Sequence, residues 1–318
     1  VPEDIAVRVP GTGLFSTVRD IFKTLGMQER DSEQAAEVLV FADLRGIETH
    51  GVSNLMKVYV EWLNDGLINP RPGLQVESEY GAIANVNGDG GLGLVLGPVG
   101  MQMAIDRAEQ HGIGSVTMSN AGHLGPCAYT AMMPLERDMI GLSMTTGGVG
   151  MVPTFGSKPM VGINPLGFAA PTSTEPPFVF DAGHLEQLYT EEIYLESPQR
   201  FFKALGINAA VTILGGLLAG IYRPEVQSTR WEPNQGSFIA VFDISRFMPV
   251  DQFRAEMDRY IGDVRKMKLL PQAEVTMLPG GLEYLWEQEN ARLGIPVSDL
   301  HRERLEEMAK EFSVESPF

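Results

Sequence analysis

The sequence predicts an α/β protein, and three observations carry that prediction. Helical apolar spacing dominates residues 1–73 and returns near the C-terminus. From residue 74, short β-rich runs alternate with helical ones. Gly and Pro crowd residues 141–177, which predicts loops that carry backbone close to another group.

Taken in order, residues 13–25 read as an amphipathic helix stopped by Gly26. Asp31 or Ser32 is placed to cap a second helix running to about Leu44, with Ala36, Val38, Leu39 and Ala42 on its apolar face. A third helix covers Val52–Leu63, and Asn69–Gly73 is a loop. Leu74–Val76 and Ala82–Val86 read as short strands. Gly97-Pro98 opens a helix to His111, with Gly112 as its stop. Strands are expected at Gly114–Ser119, Ile140–Thr145 and Phe178–Phe180. Residues 184–204 are acidic and aromatic, and a hydrophobic helical stretch fills 205–221. Then come a strand at Ser237–Asp243, an amphipathic helix over Val250–Met267 and a short strand at Glu274–Met277. A terminal helix capped by Ser298 or Asp299 runs to about Phe312. The expected division is a helical segment 1–73 packing with the C-terminal part, a central α/β domain 74–245, and a C-terminal α/β segment 246–318.

The 318 residues hold 24 Lys+Arg against 41 Asp+Glu, a formal charge of −17. That charge repels nucleic-acid backbones and anionic membrane surfaces, so neither is an expected partner. The apolar run 205–221 contains Asn208 and Thr212, and reads as a buried helix, not a membrane span. The start, Val-Pro-Glu-Asp, lacks the basic and apolar regions of a signal peptide, and Cys127 stands alone. A reducing, cytoplasmic setting is expected. No His or Cys spacing supports a metal site.

Gly88-Asp89-Gly90-Gly91-Leu92-Gly93 matches the G-x-G-x-x-G phosphate loop of dinucleotide folds. Its preceding strand is short and polar, and the expected helix starts some residues later. No acidic residue ends the next strand. A turn between strand and helix is the plainer expectation.

His50, in ADLRGIETHGVSN, and His123, in SNAGHLGP, sit among small and polar residues. Imidazole titrates near neutrality, which suits proton exchange with a hydroxyl or carbonyl oxygen. A loop histidine satisfied by backbone is the alternative for each. Arg45 lies close enough to share a helix end with His50, and a guanidinium can grip a carboxylate with two parallel hydrogen bonds. A surface ion pair with Asp43 or Glu48 is its alternative.

Together these segments resemble the type-2 malate/L-lactate dehydrogenase family. The resemblance runs through ADLRGIETHGVSN, NGDGGLGLVLGP, SNAGHLG, residues 144–171, PPFVFD, NQGSFIAVFD and residues 278–297. It implies a non-Rossmann fold, with a helical N-terminal part packed on a central mixed-sheet domain. It further implies an oxidoreductase that uses NAD or NADP to interconvert a small 2-hydroxy acid and its 2-oxo acid, as a homodimer. On the matching positions, His50 and His123 become candidate proton donors or acceptors. Arg45, Ser53 and Asn54 become candidates for substrate binding; Asn54 stands where many members carry arginine. Thr145, Thr146, Gly147, Asn164, Pro165, Asp181, Lys203, Asn234, Gln235 and Gly236 become candidates for cofactor binding. The family's cofactor loop is replaced here by the acidic 184–200 segment, so the atypical stretch is 182–204. That departure opens two alternatives: a member with an impaired dinucleotide site acting as a binding protein, or a reductase of cyclic imino acids. Anion binding in so acidic a chain calls for local positive charge, for which Arg45, Lys57, Lys158 and Lys203 are available.

Overall fold

A computed structural model describes residues 5–147, 164–183 and 191–318. The N-terminal third begins with strand β1 (Ile5–Val9), followed by helices α1 (Gly11–Thr24), α2 (Glu29–Leu44) and α3 (Val52–Asn64). Helix α1 buries Leu14, Val18, Ile21 and Phe22, an i, i+4, i+7, i+8 stripe. Past its end, Met27 N–H donates to Phe22 O while Gly26 takes φ +90°, which closes the helix. Helix α2 starts two to three residues before the expected cap. Gln28 is extended and precedes the first turn, Glu29 and Asp31 lie at the positive end of the helix dipole, and the Ser32 hydroxyl donates back to Gln28 O.

The central part is built on a seven-stranded sheet of order β2-β3-β4-β8-β5-β6-β7. Its strands are β2 (Gln75–Tyr80), β3 (Ile83–Gly91), β4 (Ile113–Ala121), β5 (Met139–Thr146), β6 (Leu166–Ala170), β7 (Phe178–Ala182) and β8 (Gln235–Asp243). Only the β3–β4 pair is parallel among the described ladders, joined by helix α4 (Gly93–His111). Helix α5 (Cys127–Met132) packs beside β5 and β6. Helices α6 (Glu191–Glu196) and α7 (Pro198–Val211) lead into a π-helical turn at Thr212–Leu217. The C-terminal part holds α8 (Val250–Arg265), α9 (Gly281–Leu293), β9 (Ile295–Ser298) and α10 (Asp299–Glu311). Ser298 caps α10 by accepting from His301 N–H, as expected.

Several expectations need correction. Strands β2 and β3 form one hairpin turning at Gly81, longer than expected because QVESEY is an exposed edge strand with no apolar face to announce it. Strand β6 lies inside the stretch expected to be loop; two prolines, Pro165 and Pro171, flank it and mask its apolar run. Residues 274–277 form no strand, since no ladder partner meets them and Val275 is exposed. Helix α4 opens at Gly93, and Pro98 sits within it. The 205–221 run is split between α7 and the π turn, and no helix of the described residues is long and apolar enough to cross a membrane.

Two cores meet along α4. One gathers α1, α2 and α3 with β1, β9 and α10, and includes Leu92, Leu94 and Val95. Strands β1 and β9 pair antiparallel, so chain ends nearly 300 residues apart share this core. The other places Leu96, Met101, Ala104, Ile105 and Ala108 of α4 on the sheet residues Val86, Val116, Met118, Ile239 and Val241.

The glycine motif makes that seam possible and is not a turn. Gly88–Gly91 belong to β3, and the space beside each motif glycine is filled by protein. A Cβ on Gly93 would lie 2.3 Å from Gly122 O, one on Gly91 2.5 Å from Pro72, and one on Gly90 2.3 Å from Trp231. Leu92–Leu96 are buried, so no phosphate can approach the start of α4. The Rossmann reading of this motif is thereby removed. Gly90 also holds φ +70°, which disfavours any side chain. Gly90→Ala is therefore expected to lower stability by about 2–4 kcal/mol through strain and overpacking, measured by urea unfolding. A change below about 0.5 kcal/mol would show that Trp231 is not wedged there.

Candidate active site

Two segments far apart in sequence bring the histidines together. His50 ends a single 3₁₀ turn (Glu48–His50) just before α3, and His123 follows the end of β4. Their rings stack with centroids 5.3 Å apart and planes 22° apart. The backbone ahead of α3 is fixed by Asp43, whose buried carboxylate accepts from Val52 N–H at 2.8 Å. Gly51 is required because a Cβ there would meet the Asp43 carboxylate.

The Nδ1 atom of His123 accepts from Gly125 N–H at 3.2 Å and lies 2.7 Å from the Tyr59 hydroxyl. An Nδ1 that accepts from a backbone N–H carries no proton, so Tyr59 O–H donates as well and the ring proton resides on Nε2. Burial, and then the neighbouring charge of His50, hold the His123 pKa down to about 4. Burial lowers that of His50 too. Both rings are thus neutral at neutral pH in the free protein. Tyr59, fully buried on α3, has its own pKa pushed upward by burial.

His123 lines a cleft of about 650 Å³. Trp62, Gly147, Arg230, Trp231, Asn234 and Gln235 line it too. That volume is in the range of small-molecule sites. Asn234 Nδ2 donates to Ile221 O, whereas its Oδ1 is buried with no hydrogen-bond partner among the described residues. An orphaned acceptor on a cleft wall suits a ligand that brings N–H or O–H donors. A carboxamide or a ribose has such donors, so the residues present fit a nicotinamide nucleotide.

The predicted cofactor residues divide accordingly. Gly147, Asn234 and Gln235 line the cleft. Thr145 and Thr146 pair with Ser237 and Gly236 across the β5–β8 ladder, buried beneath it. Thr145 Oγ1 donates to Gly236 O, and Pro165 O accepts from Thr145 N–H. Asn164 is also structural, since its amide donates to Asn208 and Thr212 and ties α7 and the π turn to the sheet. Asp181 turns away from the cleft and accepts from Ala128 N–H at the start of α5; burial raises its pKa to about 6. Lys203 lies on α7, with its side chain outside the described atoms, as is Lys158.

The substrate candidates Arg45, Ser53 and Asn54 lie outside the lining of this cleft. Arg45 is 1% exposed, ion-paired to Glu287 at 2.5 Å and 5.5 Å from the Phe41 ring centroid, so its charge is spent inside the fold. Ser53 and Asn54 line a separate groove between α3 and α10, with Lys57 and Arg304. Asn54, Lys57 and Glu61, at i, i+3 and i+7, share the face of α3 turned to α10, whereas Trp62 lines the cleft. Asn54 Nδ2 donates to Glu48 O, and Lys57 pairs with Glu61. Among the described residues no His, Cys, Asp and Glu cluster could hold a metal.

Sequence reading missed Tyr59, Trp62 and Arg230. Tyr59 lies on the apolar stripe of α3 and looked like core. Arg230 lies in a segment whose only signal was an arginine beside a tryptophan, ahead of Pro-Asn-Gln-Gly.

Residues 9–184 and 197–306 match the malate/L-lactate dehydrogenase family. The chain belongs to that family. The malate dehydrogenase of Pyrococcus horikoshii is 33% identical over 97% of this chain and 96% of its own. The solved structure of the Pyrococcus horikoshii OT3 malate dehydrogenase superposes with a TM-score of 0.88 at 32% identity, covering 99% of this chain and 98% of that one. The NAD(+) ureidoglycolate dehydrogenase of Escherichia coli K12 is 25% identical over 86% of this chain and 88% of its own. As a malate/L-lactate dehydrogenase family member, the protein is a dehydrogenase acting on a CH–OH group.

The buried Asp43 makes the site's foundation pH-dependent. Burial, with the nearby Glu48 charge adding to it, raises its pKa to about 7 despite the Val52 hydrogen bond. An acid with a raised folded pKa keeps its proton in the folded state after the unfolded chain has lost it. Stability is therefore fullest below pH ~4 and falls as pH rises toward 7. Asp43→Asn keeps the acceptor for Val52 and cannot ionise. We expect it to be more stable than wild type at pH 8, with the gain shrinking at pH 5, in urea unfolding at both pH values. A gain that grew on acidification would contradict this origin.

Proposed function

We propose that the protein interconverts a small 2-hydroxy acid of the malate or lactate type and its 2-oxo acid, with NAD or NADP as the hydride carrier. The observation that supports this most is the stacked His50–His123 pair, of which His123 lines a cleft that also holds Asn234 with its unsatisfied acceptor. In this reading Asn234, Gln235 and Gly147 hold the nucleotide, whose nicotinamide supplies the redox chemistry. The names of the relatives support the CH–OH chemistry. We read the protein further as a cytoplasmic homodimer, for which the exposed apolar residues Ile213, Leu217 and Leu218 offer surface.

The histidines move the proton. In reduction, His123 Nε2–H bonds the carbonyl oxygen and must deliver a full proton to the alkoxide. A neutral imidazole cannot do so near neutral pH, and burial keeps both rings neutral in the free protein. A substrate carboxylate beside the pair reverses that balance, since a nearby opposite charge favours the charged form. A cationic His123 holds one proton on Nδ1, where the Tyr59 oxygen rotates to accept it, and offers the other from Nε2. In oxidation the pair accepts the hydroxyl proton and releases it as the 2-oxo acid leaves.

Two measurements check this. His50→Ala or His123→Ala, or both, should lower turnover about 10²–10⁴-fold against 2-oxo acids with NADH or NADPH. Full turnover in both variants would remove the acid–base assignment, and no binding of either nucleotide at millimolar concentration would remove the dehydrogenase reading. Separately, adding a 2-oxo acid to the enzyme saturated with the oxidised nucleotide, which cannot turn over, at pH 7 in weak buffer with an indicator dye should take up about one proton per site on binding. In oxidation, kcat/KM should hold through neutral pH and fall only at acidic pH, below the ordinary imidazole range, because depressed pKa values keep the base form available. A fall beginning above pH 7, or no proton uptake, would contradict the neutral pair.

A further inference from the structure

We infer that Arg230 is the anion-binding residue of the cleft that His123 also lines, gripping a carboxylate or phosphate oxygen of the ligand. Every other basic candidate whose side chain is described is committed elsewhere: Arg45 to Glu287, Lys57 to Glu61 beside the α3–α10 groove. Of the described residues lining the cleft, Arg230 alone carries a permanent positive charge, and Glu232 is the acidic one. No carboxylate of the described residues lies within 4.0 Å of the Arg230 guanidinium, although 41 acidic residues compete for 24 basic ones. An exposed cation left unpaired in so acidic a chain, on the wall of a cleft, is suited to an arriving anion.

The guanidinium is also held in place. It lies 4.3 Å from the centroid of the Trp231 ring, a stack that preserves its hydrogen-bonding edge. Trp231 is wedged against Gly90. The N–H groups of Arg230 and Trp231 both donate to Ser228 Oγ. Ser228 N–H donates to Asn120 Oδ1, and Asn120 Nδ2 donates to Val226 O. Glu232 N–H donates to Leu67 O on the other side. Asn120 is three residues before His123 on the same strand end, so one anchor sets both the arginine loop and the histidine. A guanidinium pre-placed in this way loses little freedom on binding, and its fork matches the two oxygens of a carboxylate or phosphate.

The proposal draws on the dehydrogenase reading only for the identity of the anion: the substrate's carboxylate or the nucleotide's phosphate. Arg230→Gln removes the charge and keeps a flat, hydrogen-bonding side chain over Trp231; because the residue is exposed, folding should be unaffected, checked by thermal melting. Arg230→Lys keeps the charge and loses the fork. If the anion is the substrate's, Arg230→Gln raises KM for 2-oxo acids about 10–100-fold with the NADH Kd within twofold. If it is the nucleotide's, the NADH Kd rises by that factor instead. In either case Arg230→Lys recovers part of the loss, and the salt dependence of the affected constant flattens in Arg230→Gln. Both constants within twofold of wild type in Arg230→Gln would overturn the proposal. Should the wild type reduce no 2-oxo acid with either nucleotide, the dehydrogenase reading falls by itself. Calorimetry with oxalate and inorganic phosphate on wild type and Arg230→Gln then decides the anion site: weaker binding in the variant sustains it, and equal binding or none in either protein overturns it.

Discussion

Residues 88–93 pack backbone against backbone on residues 119–124, and the rest of the structure depends on that contact. It brings the end of β3, the start of α4 and the end of β4 closer than any side chain would allow. Helix α4 can then bury its first turn in the helical core and its remainder on the sheet. The same contact fixes the chain on either side of His123, and through Gly90 and Asn120 it seats the Trp231 loop. The glycines resemble a phosphate loop because both need backbone approach, but here the approaching group is protein.

Burial is the second constraint, and it sets the proton chemistry. Asp43, Asp181 and the two histidines are all shifted first by desolvation, in the direction of their neutral forms. The two carboxylates serve as acceptors for helix starts, at Val52 and Ala128, and so hold the segments that carry the site. The histidines, held neutral, would gain charge only when an anion arrives. The −17 of the chain therefore describes its surface and says little of the cleft.

Much of the fold was legible because it rests on local patterns. Helices α1 and α3, the Gly112 stop and the Ser298 cap follow from spacing and capping chemistry within a few residues. Strands β1, β6 and β9 were not legible. Their stability comes from partners far along the chain, and β2 hid because an exposed edge strand has no apolar alternation. The two histidines that the structure stacks together stand out in the sequence by their small-residue settings and family motifs. That Arg45 pairs with Glu287, and that Ser53 and Asn54 line the groove between α3 and α10, was not legible, because closeness in sequence does not say which face of a helix turn a side chain takes.

By itself the sequence determined the family and the α/β class, and it singled out the two histidines as candidates, since these follow from ordered motifs and side-chain chemistry. Only the tertiary structure decided that the two rings stack, that Tyr59 holds Nδ1 of His123, that Arg45 is spent on Glu287 and that Arg230 is left for the cleft. The reason is physical: a charge or a lone pair becomes functional through what remains unpaired around it. That depends on contacts between segments that the chain order keeps apart.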